Sequence, residues 1–201
     1  MAFNVQDFRS RLQFDGARPN LFDIQLAFPP LVGTGGSAPG TLGTAQEQLT
    51  FRARASSLPG NSISSIPVNY FGREIKVPGN RSFPDWSFTV INDEDFTIRT
   101  AFERWMSGMN SHVQNLRAPE FIQGDGGYGA DAFITQYGKV DEVILKRYRM
   151  VGGFPVDLSP IALDWGANDS IEEFEVTMSY QWWESLDSTD GSTSSSLFQT
   201  F

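Results

Sequence analysis

Residues 171–183 read Ile-Glu-Glu-Phe-Glu-Val-Thr-Met-Ser-Tyr-Gln-Trp-Trp. Phe174, Val176, Met178, Tyr180 and Trp182 alternate without a break against Glu173, Glu175, Thr177, Ser179 and Gln181. Successive side chains of a strand point to opposite faces, so this run predicts a half-buried β-strand with one apolar and one polar face. The same period recurs upstream. Phe22, Ile24, Leu26 and Phe28 alternate in 21–28, Leu49, Phe51, Ala53 and Ala55 in 48–56, and Trp86, Phe88 and Val90 in 86–90. Further strands are expected at 132–137, 142–151 and 161–165. In 142–151, Lys146, Arg147 and Arg149 interrupt both faces, which suits a strand with a wet side or a partner. Gly152-Gly153-Phe154-Pro155 reads as the break after it.

One segment changes period. Ile98, Phe102, Trp105, Met106 and Met109 fall at i, i+4, i+7, i+8 and i+11, the stripe of an amphipathic helix over 96–109. Asp93 or Asp95 suits its start, and Gly108 or Asn110 its end. A short helix is also expected within 3–14. With 17 Phe, 19 Gly and 11 Pro in 201 residues, the rest reads as short strands joined by turns. The expected fold is mainly β: an antiparallel β-sandwich or barrel-like domain with one flanking α-helix. It occupies residues 1–184. Residues 29–47 form a Gly/Pro/Ser/Thr-rich loop insertion, and 185–201 a Ser/Thr/Asp-rich C-terminal extension.

Residues 58–79 stand apart. Ile66, Val68 and Tyr70, then Ile75 and Val77, flank Phe71-Gly72. Pro67 and Pro78 cannot donate to a central ladder, so the segment reads as an edge hairpin or an extended arm.

Composition narrows the chemistry. There is no cysteine, which removes disulfides, thiolate metal sites and a cysteine nucleophile. His112 is the single histidine and reads as a surface or capping residue. No phosphate-binding loop, dinucleotide fingerprint or nucleophile elbow occurs. Asp93, Glu94 and Asp95 sit where a helix starts, and Glu173 and Glu175 share one strand face about 7 Å apart, a spacing common on solvated strands. The loop around Asp125 lacks the ligand set of a calcium loop. No cofactor and no catalytic residue is expected. The net charge of -9 repels nucleic acid at long range. No apolar run reaches the roughly 20 residues of a membrane span, so stable membrane insertion is not expected.

Several runs, in order, resemble the tail tube proteins of contractile-tailed bacteriophages. They are 17–22 (ARPNLF), Leu58-Pro59-Gly60, Ile66-Pro67-Val68, 70–77 (YFGREIKV), Asp85-Trp86, 90–94 (VINDE), Leu163-Asp164-Trp165 and 171–177 (IEEFEVT). They cover most of the chain, from about Ala17 to Glu184.

The resemblance implies a structural virion protein and not an enzyme. Hexameric rings stack into a tube with a continuous β-lined channel, inside a contractile sheath. The inner-tube protein of type VI secretion shares this fold. Implied partners are further copies of the chain, the tail sheath protein, baseplate and tail terminator proteins, and a tape-measure protein in the lumen. DNA transits without specific binding. Assembly takes place in the host cytoplasm. The 58–79 arm corresponds to the inter-ring region, with Leu58, Pro59, Ile63, Ile66, Pro67, Tyr70, Phe71 and Arg73 at the interface. Glu173 and Glu175, on the polar face of the best strand, are the expected lumen-facing carboxylates, with sheath contact as the other use of that surface. The alternatives are the tube of a tailocin or type VI-like injection system, and a β-sandwich binding module.

Overall fold

A computed structural model describes residues 4–12, 16–29, 32, 41–117, 127–139 and 143–186. The expected loop around Asp125, most of the 29–47 insertion and nearly all of the C-terminal extension lie outside these residues.

The elements run α1 (Val5–Arg11), β1 (Phe22–Leu26), α2 (Thr41–Arg52), β2 (Ala53–Ser56), β3 (Ser62–Tyr70), β4 (Arg73–Ser82), β5 (Trp86–Ile91), α3 (Thr97–Met109), β6 (Ala130–Tyr137), β7 (Ile144–Leu158), β8 (Glu173–Ser179) and β9 (Trp182–Leu186). Seven strands form one antiparallel sheet in the order β1-β6-β7-β8-β5-β2, with β9 also on β7. The antiparallel, mainly β expectation holds. β3 and β4 make a separate two-stranded sheet.

The sheet folds over because its longest hairpin bends. The N-terminal half of β7 pairs with β6 and β9, and its C-terminal half with β8. The bend falls at Gly152-Gly153, opposite Tyr180-Gln181. Gly152 has φ +63°, and a Cβ on Gly153 would stand 3.2 Å from the carbonyl oxygen of Ala130. Thus the glycines do not end the strand, as the composition suggests; they let it turn a corner while the ladder continues. Pro155 is tolerated because β7 there has a ladder partner on the β8 side only.

The same bend corrects the reading of 171–183. The strand breaks after Ser179, and the Gln181 N–H donates to the Val151 carbonyl (3.1 Å). The alternation slips by one residue. Tyr180 is buried, Trp182 is exposed, and Trp183 packs against the core.

The two folded-over halves enclose one core. Ile24, Leu26, Trp86, Phe88, Val90, Ala132, Ile134, Met150, Phe174, Val176 and Met178 come from the strands, and Ile98, Ala101, Phe102 and Trp105 from α3. Aromatic rings form its centre: Phe28 meets Phe102 edge-on at 5.1 Å and Trp105 at 5.8 Å. Each such pair contributes about 0.5–1.5 kcal/mol beyond area burial. The buried Trp105 indole donates to the Tyr128 carbonyl (2.8 Å).

The expected α3 is present with its apolar stripe inward. Its cap is Phe96, in the left-handed region (φ 50°), while the Asp95 carboxylate accepts the Thr97 N–H (3.2 Å). Asn110 closes the other end. The expected strand over 48–56 is a strand only from Ala53. Thr41–Arg52 is helical, burying Ala45 and Leu49 four residues apart and leaving Phe51 exposed. Gln, Glu, Ala and Leu favour a helix, and the i, i+4 pair outweighs the alternation that Phe51 suggests. The fold therefore carries α1 and α2 beside the flanking α3.

The expected strand at 161–165 is absent. Gly166 N–H donates to the Asp164 side chain (2.9 Å) and Ala167 N–H to the Asp164 carbonyl (3.2 Å). Turn chemistry around Asp164 and Gly166 prevails over a short apolar run. Among the described residues, no helix is long and apolar enough to cross a membrane.

Candidate assembly surfaces

The β3–β4 hairpin has few dry contacts. Register pairs Ile66 with Val77, Val68 with Ile75 and Tyr70 with Arg73, so these residues share one face. The other face carries the pairs Pro67–Lys76 and Asn69–Glu74. The apolar face is bare: Ile66, Val68, Tyr70, Ile75 and Val77 are all about half exposed. The turn is Phe71-Gly72, with φ of 46° and 77°. Two positive φ values are what a two-residue type I′ hairpin turn requires. Phe71 is 91% exposed, and its ring meets Tyr70 edge-on at 4.5 Å. An exposed aromatic in the left-handed region is an uncommon and strained choice for a turn that needs only to be a turn.

The arm is fixed at its root. The Trp86 indole donates to Ser56 Oγ (3.0 Å) and the Ser57 carbonyl (2.9 Å), and the Trp183 indole donates to the Gly60 carbonyl (2.9 Å). A hairpin held at the base and bare along its length is a projecting element. The structure brings Ile66, Tyr70 and Arg73 to one face and Phe71 to the tip. Pro67 lies on the opposite face. Leu58 and Pro59 lie in the root, and Ile63 precedes a register shift in β3. Val68, Ile75 and Val77 complete the apolar face. Their alternation in the sequence marks them, but only the register with β4 places them beside Ile66 and Tyr70.

A second surface is the solvent face of β5 and β8. Glu173 lies opposite Ile91 and Glu175 opposite Thr89; Ser87 faces Thr177. Glu173 is ion-paired with Arg54 of β2, across β5. The Glu175 N–H is bonded to Ser159 Oγ (2.7 Å), and its carboxylate side is exposed. This face carries hydroxyls and carboxylates, with Ile91 and Arg54 beside Glu173.

The opposite half of the sheet has a denser polar face. Arg149 binds Asp131 (2.5 Å), Arg147 donates to Gln25 (3.1 Å) and lies 4.6 Å over the Phe133 ring, and the Tyr137 hydroxyl donates to Asp23 (3.1 Å). Burial, then the Asp23 charge, pushes the Tyr137 hydroxyl above its ordinary pKa. The other acids have structural work. Asp93 pairs with Arg52, and Asp95 is held below the usual carboxylate range, first by the Thr97 N–H. Exposed His112 has Ser107 Oγ at 3.4 Å from Nε2. No group of three His, Asp or Glu side chains among the described residues could hold a metal ion.

Strand edges are the third feature. β1 and β2 end the strand order, and β9 hangs on β7 alone. Edges of this kind are templates for pairing with another chain.

The chain is similar to known tail tube proteins. The family model described as phage tail tube protein matches residues 17–186. Tail tube protein gp19 of Enterobacteria phage T4 is 31% identical over 173 residues, covering 85% of this chain and 92% of the relative. The tail tube protein of Serratia phage KSP90 is 19% identical over 181 residues, covering 88% and 93%. Among solved structures, a chain from the extended sheath–tube complex of an extracellular contractile injection system superposes with a TM-score of 0.53 at 13% identity. It covers 92% of this chain and 98% of that one. A chain of the anti-feeding prophage cap does so with 0.56 at 14% identity, over 84% and 89%. The resemblance carried by 17–22, 70–77 and 171–177 is thereby borne out, and with it the structural rather than enzymatic role: the chain belongs to the phage tail tube protein family.

Proposed function

We propose that copies of this chain close into hexameric rings, and that the rings stack through the β3–β4 arm into the inner tube of a contractile phage tail. The observation that carries the stacking is the arm itself: an apolar face and an aromatic tip without a partner among the described residues, on a root held by two tryptophans. Apolar and aromatic side chains brought together on a projecting element are the usual anchors of an interface. Ile66, Tyr70, Phe71 and Arg73 lead, with Leu58, Pro59, Ile63 and Pro67 around them. Free edges on β1, β2 and β9 supply the strand pairing that closes a ring.

Glu173 and Glu175 line the channel. Their face is hydroxylated and acidic, with no aromatic side chain, and repels a phosphate backbone passing along it. The pairing of Glu173 with Arg54 leaves Glu175 as the freer charge. DNA passes without specific binding, after a tape-measure protein that fills the lumen during assembly. Sheath, baseplate and terminator are the outer and end partners, and the tube is built in the host cytoplasm and carried in the virion. One tube domain spans 1–184, with 185–201 as an extension; within the expected 29–47 insertion, the residues from Thr41 belong to α2 and place Ala45 in the core, and β9 carries the fold to Leu186.

The test is sedimentation and negative-stain imaging of the purified chain and of Tyr70→Ala/Phe71→Ala. The expected result is stacked rings for the parent chain and rings with few stacks for the variant. Stacks of unchanged length in the variant overturn the role of the arm.

A further inference from the structure

The arm projects from one end of the β5–β8 layer. β3 and β4 are inserted between Ser56 and Trp86, and Trp86 pairs with Met178 at the C-terminal end of β8. The opposite end of the same layer carries the loop 159–172, which joins β7 to β8. There Asn92 N–H bonds the Glu172 carbonyl (2.9 Å). The six residues of β5 separate the two ends by about 20 Å.

This loop is a second apolar surface, without a partner among the described residues. Trp165 is fully exposed, Leu163 is 83% exposed and Ile171 72% exposed. The Trp165 backbone is held by the turn at Asp164, which bonds the N–H groups of Gly166 and Ala167. A tryptophan displayed on a tied turn loses little freedom on contact, which is the property of an interface anchor.

Charge separates the two ends as well. The arm has Arg73, Lys76 and Arg81 against the single acid Glu74. The loop has Asp164, Asp169 and Glu172 and no base. The adjoining turn at Asp93–Asp95 adds acids, two of them answered by Arg52. A chain with an apolar, basic arm at one end and an apolar, acidic loop at the other is complementary to a second copy placed head to tail.

We infer that the loop around Trp165 is the seat on which the arm of the copy in the adjacent ring docks. The inference rests on the stacked-tube reading and adds the receiving surface to it. Arm and seat lie at opposite ends of every subunit. The contact is therefore heterologous, and with the arm as the stacking element the copy that offers the seat belongs to the adjacent ring. The basic side chains of the arm meet the acids of the loop, so stacking weakens as salt rises.

The full chain tests this. Trp165→Ala alters a fully exposed side chain and leaves the thermal unfolding transition unchanged. Rings are expected to persist while stacked tubes are lost. Tubes of parental length from Trp165→Ala overturn the inference and leave the tube reading standing. A parent chain that gives neither rings nor tubes, even with baseplate added, overturns both. The absence of native cysteine permits an independent check. With Glu74→Cys and Asp169→Cys in one chain, a short bis-maleimide linker is expected to give a ladder of covalent multimers from tubes and monomer from separated rings. Monomer alone from intact tubes overturns the docking.

Discussion

At the scale of single residues, tryptophans divide the labour. Trp105 is wholly buried and hydrogen-bonded, so Trp105→Ala removes both a core ring and a satisfied N–H. A loss of about 3–5 kcal/mol in urea unfolding is expected for such a truncation. Trp165 is wholly exposed and should cost the isolated subunit nothing measurable. The five tryptophans look alike in composition; their roles differ because strand phase and turn chemistry place them. The slip at Tyr180-Gln181 is an example. Unbroken alternation across 171–183 puts Trp182 inside, and only the bend opposite Gly152-Gly153 shows that Trp183 takes that place.

Asp95 gives the pH-dependent prediction at this scale. Its carboxylate accepts the Thr97 N–H at the start of α3, and this bond lowers its pKa in the folded chain. A depressed folded value means that the ionised form is favoured by folding. The contribution is therefore complete above the ordinary aspartate pKa of about 3.9 and fades as pH falls through the lower folded value. Parent and Asp95→Asn should differ in melting temperature at neutral pH and converge on strong acidification. A difference that stays constant down to strong acid contradicts this role.

Among the elements, long periodic segments were the most legible. The stripe Ile98, Phe102, Trp105 predicts α3, and the alternations at Phe22–Leu26 and Trp86–Ile91 predict β1 and β5. The arm is legible too, because Pro67 and Pro78 bar a central strand and Phe71-Gly72 marks a turn. What fails is local competition. In 48–56 the side-chain period is shared by two templates, and burial of Leu49 decides for the helix up to Arg52. In 161–165 the Asp164 turn defeats β propensity. At 152–155 a Gly-Gly pair can end a strand or bend one, and the choice depends on β6, β8 and β9, which lie far away in sequence.

The arm also yields a prediction of its own. Phe71 holds a left-handed backbone that glycine or asparagine adopts with less strain. Phe71→Gly should preserve the hairpin register, seen as retained backbone amide protection along β3 and β4. It should nonetheless reduce stacking, because the exposed ring is lost. Stacking equal to the parent would assign the tip no part in the interface. A Gly153 substitution acts oppositely: a side chain there meets Ala130 and Met178 and should disrupt the corner of the main sheet, not the arm.

For the molecule as a whole, three surfaces stay open among the described residues: the bare arm, the displayed loop around Trp165, and the edges of β1, β2 and β9. The site residues were only partly legible for a physical reason. An interface face is set by register and by what the subunit fails to cover, and neither is a local property of sequence. Pro67 belongs with Lys76 on the polar side of the arm, while Val68 and Ile75 belong with Ile66 and Tyr70 on the apolar side, and that partition exists only once β3 is paired with β4.

The most direct measurement of the central claim is a cryo-electron microscopy reconstruction of the assembled chain. The account predicts six-fold rings stacked around an open channel, strands of neighbouring subunits paired edge to edge, and the arm of one ring seated on the next. A subunit that remains a monomer at high concentration and with baseplate added, or an assembly without a channel, would contradict it.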